Sequence, residues 1–273
     1  MKLVVHVGPH KTGTTAIQDM LSQNREALRV SGVHYPESIT GRMGQYEVPW
    51  AIKGWNLRLL NADLTHQRAS AYLEMFVRDA VAAQAEVLLL SSEDFSLLTQ
   101  REWDLFFANI SEAFAEEDAV LVECTIAWTR RPVAAMAQSS YATLVLLGLS
   151  FDFRSVKRHL ERHVRHVYRQ IRRLRTNGEA FALKLHSMRW RRDGFPQRWV
   201  QEFLPQVDTS ILNIVENQVN VSRPLHDSES LAIDNRARSV HFDKNDLFTW
   251  PKFHDEASIQ RQRHAREAYF ARK

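Results

Sequence analysis

The sequence holds one cysteine, Cys124, in 273 residues. That excludes an internal disulfide framework and a cysteine-built metal cluster, and it suits a reducing compartment, so the expected location is cytoplasmic. No segment approaches the roughly 20 consecutive apolar residues that a membrane-spanning helix needs, and no span is expected. The opening "MKLVVHVG" has a single lysine, a short apolar run and no small-residue cleavage site, so it reads as a buried strand and not as a secretory leader. Internal repeats and low-complexity linkers are also missing, and the length suits one large domain over 1–273. Neither sign of charge dominates: 36 Lys and Arg face 32 Asp and Glu, a net +4. With 44% hydrophobic and 25% charged residues, the composition excludes disordered and fibrous classes.

What is present is an alternation. Residues 2 to 7 are β-rich and end at Gly8; from Thr14 onward Ile17, Met20, Leu21 and Leu28 recur at helical spacing, with Thr14 or Thr15 at the helix start. "GVHYPES" predicts a turn into a short extended piece, and 38 to 62 predicts loop or short helix. Helices are expected near 65–83, 99–115 and 152–175, the last with Val156, Leu160, Val164, Val167, Ile171 and Leu174 on one stripe. Strands are expected at Val87–Leu90, in "AVLVECTIAWTRRP", in "EAFALKLHS" and in "SILNIVE". Pro132 is placed to open a helix, and a polar helix is expected from Ala257. Strands alternating with helices imply an α/β fold, three layers of α/β/α around a central, mostly parallel sheet.

The chemistry starts at "HVGPHKTGTT", residues 6 to 15. Gly8 and Gly13 keep the G-x-x-x-x-G spacing of a Walker A loop, but Thr14 stands where that motif has lysine, and the lysine is Lys11 instead. Glycine-loop N–H groups and the positive end of the following helix bind anions with or without that lysine. A triphosphate enzyme also needs a carboxylate after a hydrophobic run to hold Mg²⁺. Here the second strand runs into Ser91, Ser92 and Glu93, and the third ends in Arg130 and Arg131. The pattern points away from a metal-dependent triphosphate site.

"GPHKTGTT" resembles the 5′-phosphosulfate loop of sulfotransferases that use 3′-phosphoadenosine 5′-phosphosulfate (PAPS), in which the lysine precedes the glycine. "WTRRPVAAMAQSSY" resembles that family's 3′-phosphate site, and "NREALRVSGVHYP" and "SSEDF" resemble stretches of its bacterial members; the likeness covers roughly residues 1 to 145. The resemblance implies a P-loop-type nucleotide-binding fold, PAPS as donor, 3′-phosphoadenosine 5′-phosphate (PAP) as product, and metal-independent in-line transfer. It places Lys11 against the oxygen bridging phosphate and sulfate, and Thr12, Gly13, Thr14 and Thr15, with His10 beside them, around the 5′-phosphate. For the 3′-phosphate, the family's spacing of eight pairs Arg131 with Ser139, whereas its R-x-P pattern picks Arg130 and puts Gln138 at the serine position; Arg130 and Ser139 are the first choices, with Arg131 and Ser140 as near alternatives.

Transfer to a hydroxyl or amine needs a base. Glu93, at a strand tip where parallel sheets place ligands, is one candidate, and His10 beside the loop is the other. Each also has a structural reading, Glu93 as a helix cap and His10 as a turn residue. The 154–175 helix carries nine Lys and Arg against Glu161 alone, with His159, His163 and His166 interleaved, and reads as a solvated face or as a hold for an anionic acceptor. No Asp or Cys completes a metal set with those histidines. Trp50 and Trp55, in an unpatterned segment, are core residues or the lining of an acceptor pocket. The expected activity is a sulfotransferase acting on a carbohydrate, lipid or small metabolite, with acceptor specificity in 35–62 and 145–200. Two other classes compete: a P-loop kinase with an aberrant loop, and a non-catalytic binder of anions or nucleic acid. The second lacks any recognisable nucleic-acid motif, and no nucleic-acid partner is expected.

Overall fold

Short apolar runs such as Leu3–Val5 and Val87–Leu90 lack the alternation of a half-wet strand, and this is the composition of strands covered on both faces. In the computed structural model, which describes residues 1–9, 11–54, 66–146, 153–175, 181–191 and 193–213, they lie in the centre of a sheet. In chain order the elements are β1 (Lys2–His6), α1 (Thr14–Gln23), α2 (Arg25–Val30), β2 (Val33–His34), α3 (Glu47–Ile52), α4 (His66–Ala82), β3 (Val87–Ser91), α5 (Gln100–Glu116), β4 (Glu123–Arg130), α6 (Val133–Leu146), α7 (Phe153–Arg172), β5 (Ala182–Arg189) and α8 (Phe195–Phe203). Turns of 3-10 helix occupy Glu93–Leu97 and Thr209–Ile211.

The five strands are all parallel, in the order β2-β3-β1-β4-β5. On one face Val4, Leu89 and Ala127 share a core with Ile17 and Leu21 of α1 and Trp199 and Val200 of α8. Side chains alternate along a strand, so buried Leu3, Val5, Leu88 and Leu90 face the other way, where α4 packs on β3 and α5 on α4. The result is the three-layer α/β/α arrangement expected, with a sheet that is wholly and not mostly parallel.

From β1 the chain goes on to β2 and β3 on one side and to β4 and β5 on the other. The register aligns His6 with Ser91, the last residues of β1 and β3, and with Ala127 of β4, which continues to Arg130. Reversal of strand order at β1 makes this the position where open parallel sheets bind ligands. The chain divides into two compact units: one holds the sheet, α1 to α5, α8 and the last residues of α7, and the other, among the described residues, holds α6 and most of α7. Among the described residues no helix is long and apolar enough to cross a membrane.

Two expectations need correction. "SILNIVE" is not a strand at its start: Asp208 accepts a hydrogen bond from the Ser210 N–H at 2.9 Å and winds Thr209–Ile211 into a 3-10 turn. Its last three residues, and the helix expected from Ala257, lie outside the described residues. Pro132 is not the first residue of α6 but sits just before it, its carbonyl accepting the Met136 N–H at 3.0 Å.

The segment 38–52 is where the fold stores a charge. Glu47 is fully buried at the start of α3, accepting from Ser38 Oγ at 2.8 Å and from the Ile39 N–H at 3.4 Å. Burial raises its carboxyl from 4.5 to about 7. Between those values the folded chain keeps a proton that the unfolded chain has lost, so this group's contribution to stability falls as pH rises through that window. His6 acts oppositely: burial lowers it from 6.5 to about 3, and it costs stability as pH falls. The readout is therefore the difference between variant and parent. Glu47→Gln is expected to gain on the parent between pH 5 and pH 8, reaching about 2 to 3 kcal/mol in chemical denaturation; a difference flat with pH would show that Glu47 is not a buried titrating group.

Candidate functional site

β1 delivers the chain into the loop 8–13, and two local facts set the loop's shape. Gly13 has φ 87°, in the left-handed region, and caps α1 without any side-chain hydrogen bond. A Cβ there would lie 2.5 Å from the Phe195 ring, so the loop packs directly on the start of α8. Lys11 also has a positive φ, 72°, which costs a residue with a side chain roughly 1–2 kcal/mol.

Neighbours hold Lys11 there. Arg131 Nη1 donates to the Lys11 carbonyl at 2.8 Å, and Thr12 Oγ1 donates to the Pro9 carbonyl at 2.7 Å. Arg131 is itself clamped: Tyr168 Oη exchanges hydrogen bonds with its backbone N–H and carbonyl, both at 2.9 Å, and its guanidinium lies 4.6 Å from the centre of the Trp190 ring. The two arginines at the end of β4 thus differ in kind. Arg131 is half-buried and braces the loop, while Arg130 is exposed.

The loop and the helix behind it offer unsatisfied donors. No side chain caps α1, so the first N–H groups of that helix, those of Thr14 and Thr15, have no intrahelical acceptor. Thr14 Oγ1 is buried with no hydrogen-bond partner among the described residues. The Thr12 hydroxyl is committed to Pro9, which leaves Thr12 only its backbone N–H to offer. Gly8 keeps room for this arrangement, since a Cβ there would fall 2.0 Å from Thr14 Oγ1. Unpaired N–H groups, an unpaired hydroxyl and a positive helix end form an anion site.

The Lys11 side chain adds a charge to it. Its ammonium pKa is lowered by burial and by the Arg131 guanidinium, and the Glu93 carboxylate counteracts both. Glu93 is the first residue of the 3-10 turn that follows β3, and it is not the cap: Ser92 Oγ accepts the Asp94 N–H at 3.2 Å and does that work. The structure therefore brings Lys11, Arg131 and Glu93 into one electrostatic neighbourhood at the ends of β1, β3 and β4.

His6, the last residue of β1, is wholly buried below this neighbourhood, its Nδ1 2.8 Å from Ser91 Oγ and its ring 4.7 Å from that of Trp199. Burial pushes its pKa down to about 3, so the ring is neutral and fixes the strand ends without adding charge.

His10 lies outside the described residues, as does Trp55. Ser139 is buried and Ser140 half-buried on α6, in the second unit. Trp50 does not line an open pocket. It is 1% exposed, and its indole N–H donates to Asp94 Oδ2 at 2.6 Å. The apolar stripe of α7 is buried as its periodicity predicts, and Glu161 is shared by Lys157 at 4.0 Å and Arg165 at 3.3 Å. Among the described residues no cluster of three or more His, Cys, Asp or Glu is placed to hold a metal ion.

Sequence reasoning missed Gln18, Tyr46, Trp190 and Phe195. Gln18 Nε2 donates to Glu93 Oε2 at 3.3 Å, and Tyr46 Oη donates to the same oxygen in a short hydrogen bond. No local pattern marks these residues; Tyr46 and Glu93 are 47 positions apart. Compared with protein-family models, curated proteins and solved structures, the chain matches none.

Proposed function

We propose that the chain is a sulfotransferase that moves a sulfuryl group from PAPS to a hydroxyl or amine of a small-molecule or glycan acceptor, and that it works in the cytoplasm. One observation carries this reading: Lys11 stands before the left-handed Gly13 of an uncapped helix N-terminus, with the Glu93 carboxylate in its electrostatic reach. The residues present fit a phosphate group, because the Thr14 hydroxyl and the N–H groups of Thr14 and Thr15 supply donors that have no acceptor among the described residues. PAPS, when bound, supplies an activated sulfuryl group on a phosphate leaving group.

The chain's own residues would do the rest. Thr14 and Thr15, with the backbone of Thr12 and Gly13, hold the phosphate. Lys11 neutralises charge on the oxygen that leaves, and a low-dielectric position makes that charge count for more. Arg131 keeps the Lys11 backbone in place, and exposed Arg130 is the residue available to the 3′-phosphate. Glu93 takes the acceptor's proton, and His10 is its rival for that role. Lone, buried Cys124 is consistent with a reducing compartment.

The test is turnover of PAPS with labelled sulfur in the presence of a metal chelator, with water and pooled hydroxyl and amine compounds as acceptors. The reading predicts stoichiometric PAP and labelled sulfate or sulfated product. Intact PAPS alongside cleavage of ATP with Mg²⁺ would replace it with the kinase reading. Arg130→Ala is expected to weaken PAP binding about 10- to 100-fold, the worth of a hydrogen bond to a charged group, and to leave the affinity for adenosine 5′-phosphate unchanged.

A further inference from the structure

Glu93 is held from one side. Its Oε2 accepts from Tyr46 Oη and from Gln18 Nε2, the latter at 3.3 Å, and among the described residues its Oε1 accepts nothing. Gln18 is 2% exposed and Tyr46 8% exposed, so water does not compete for these bonds.

The orientation of the Gln18 amide is fixed by what surrounds it. Nε2 has two hydrogens and two acceptors, Glu93 Oε2 and the Ser91 carbonyl at 3.4 Å. That turns Oε1 of Gln18 toward Tyr46 Oη, 3.1 Å away. The phenol has one hydrogen and two acceptors, and the charged one, the Glu93 carboxylate, attracts it more strongly. Burial together with the Glu93 charge raises the phenol pKa far above its ordinary value, so Tyr46 stays a donor at any working pH.

The ring is equally fixed. Arg42 lies over both Tyr46 and Trp50, at 5.2 Å and 4.9 Å from the ring centres, and Trp50 is tied to Asp94, the neighbour of Glu93. Gln45 closes the segment onto the tip of β3, its N–H donating to the Ser91 carbonyl at 2.9 Å and its Oε1 accepting the Ser91 N–H at 2.8 Å.

We propose that Tyr46 and Gln18 are the positioning residues of the base: they pin Oε2 of Glu93 so that Oε1 alone is presented to the acceptor. This rests on the reading of Glu93 as the base. With water as acceptor, the water gives its proton to Glu93 Oε1 as its oxygen bonds to sulfur. The bond between sulfur and the phosphate oxygen breaks, and PAP leaves with that electron pair. Oε2 keeps both of its donors throughout, because the proton arrives on the other oxygen.

The experiment compares wild type, Tyr46→Phe, Gln18→Leu and Glu93→Gln for release of labelled sulfate from PAPS to water, and adds carbon NMR of the side-chain carboxyls in the free protein. The Glu93 resonance is assigned by its absence in Glu93→Gln. Tyr46→Phe keeps the ring and removes only the hydroxyl. Its turnover number is expected to fall about 10- to 100-fold with an unchanged KM for PAPS, since one hydrogen bond to a charged group is lost from the base and none from the donor site. The Glu93 carboxyl resonance is displaced without any ligand, because the Tyr46 donor on Oε2 is gone. Gln18→Leu follows in the same direction. Wild-type turnover with an unmoved resonance and an unchanged rate in Tyr46→Phe overturns this inference and leaves the sulfotransferase reading standing. A wild-type chain that binds PAP yet yields neither labelled sulfate nor, with the pooled acceptors, sulfated product overturns Glu93 as the base and the inference with it.

Discussion

Lys11→Ala is expected to lower the rate of sulfate release from PAPS by about 10²- to 10³-fold while weakening PAP binding only about tenfold. The asymmetry follows from where the charge is needed. The loop's donors, Thr14 Oγ1 and the first N–H groups of α1, remain in the variant and still hold a phosphate. On the proposed reading the ammonium answers the charge that grows on the leaving oxygen, a charge that oxygen does not carry in PAPS and that PAP spreads over its terminal phosphate oxygens. Its half-buried position lowers the dielectric around it, and the same burial depresses its own pKa, with Arg131 adding to the effect and Glu93 opposing it. The protonated form does the work, so the wild-type rate falls as pH rises through the lowered Lys11 value, and this alkaline limb is absent from the residual activity of Lys11→Ala. Rapid-quench measurement of single-turnover rates across pH, paired with calorimetry on PAP, checks both halves. Equal losses in rate and affinity would make Lys11 a simple phosphate ligand.

Gly44→Ala has the largest expected effect on stability. A Cβ at Gly44 would sit 2.4 Å from the Ser91 carbonyl oxygen and 2.5 Å from Gln18 Nε2. The first of these is backbone at the paired end of β3 and cannot easily move aside. Segment 42–50 must therefore lift from the tip of β3, breaking the Gln45 bonds to Ser91 and withdrawing Tyr46 from Glu93. Overpacking of this kind costs about 2 to 3 kcal/mol, which for a chain of this size lowers Tm by roughly 5–10 °C. Gly41→Ala separates sterics from backbone strain. Gly41 has φ +68° but nothing within 4 Å of an added Cβ, so its cost stays near 1 kcal/mol and the site is undisturbed. Calorimetric melting of the two variants gives the comparison. A Gly44→Ala chain that melts with the parent would mean that the segment is not packed against Ser91.

The parts of this molecule that were legible in the sequence are those whose determinants are contiguous. β1, the loop and α1 follow one another within about 20 residues, and the two glycines, the lysine and the threonines announce the turn before any packing is known. β3 was legible because a strand buried on both faces is written as a plain apolar run; the third strand was read from an apolar run whose Val120 and Val122 are exposed and precede β4. The proposed base and its surroundings were only half legible. Glu93 stood out as a carboxylate at a strand tip, but Gln18 and Tyr46, which orient it, read as an unremarkable helix residue and a residue in an unpatterned stretch. Their role arises from tertiary packing between α1, the 42–50 segment and the end of β3, and no periodicity encodes that. Trp190 and Phe195 were hidden for the same reason, since they meet Gly13 from a distant part of the sequence. The paired arginines showed a different failure. Spacing alone left Arg130 and Arg131 interchangeable, whereas the bond from Arg131 to the Lys11 carbonyl and its stacking on Trp190 give it a bracing role and leave Arg130 exposed. In "SILNIVE" a run of apolar residues looked like a strand, but the aspartate before it, Asp208, turns the backbone first.

The most direct test of the account is calorimetric titration of the whole chain with PAP in the presence of a metal chelator, run beside ATP with Mg²⁺. A loop that places its lysine before the second glycine, backed by an uncapped helix, is predicted to bind PAP tightly without metal and ATP with Mg²⁺ weakly. Tight metal-dependent binding of ATP with no heat from PAP would contradict it, and would return the loop to the triphosphate enzymes whose lysine it lacks.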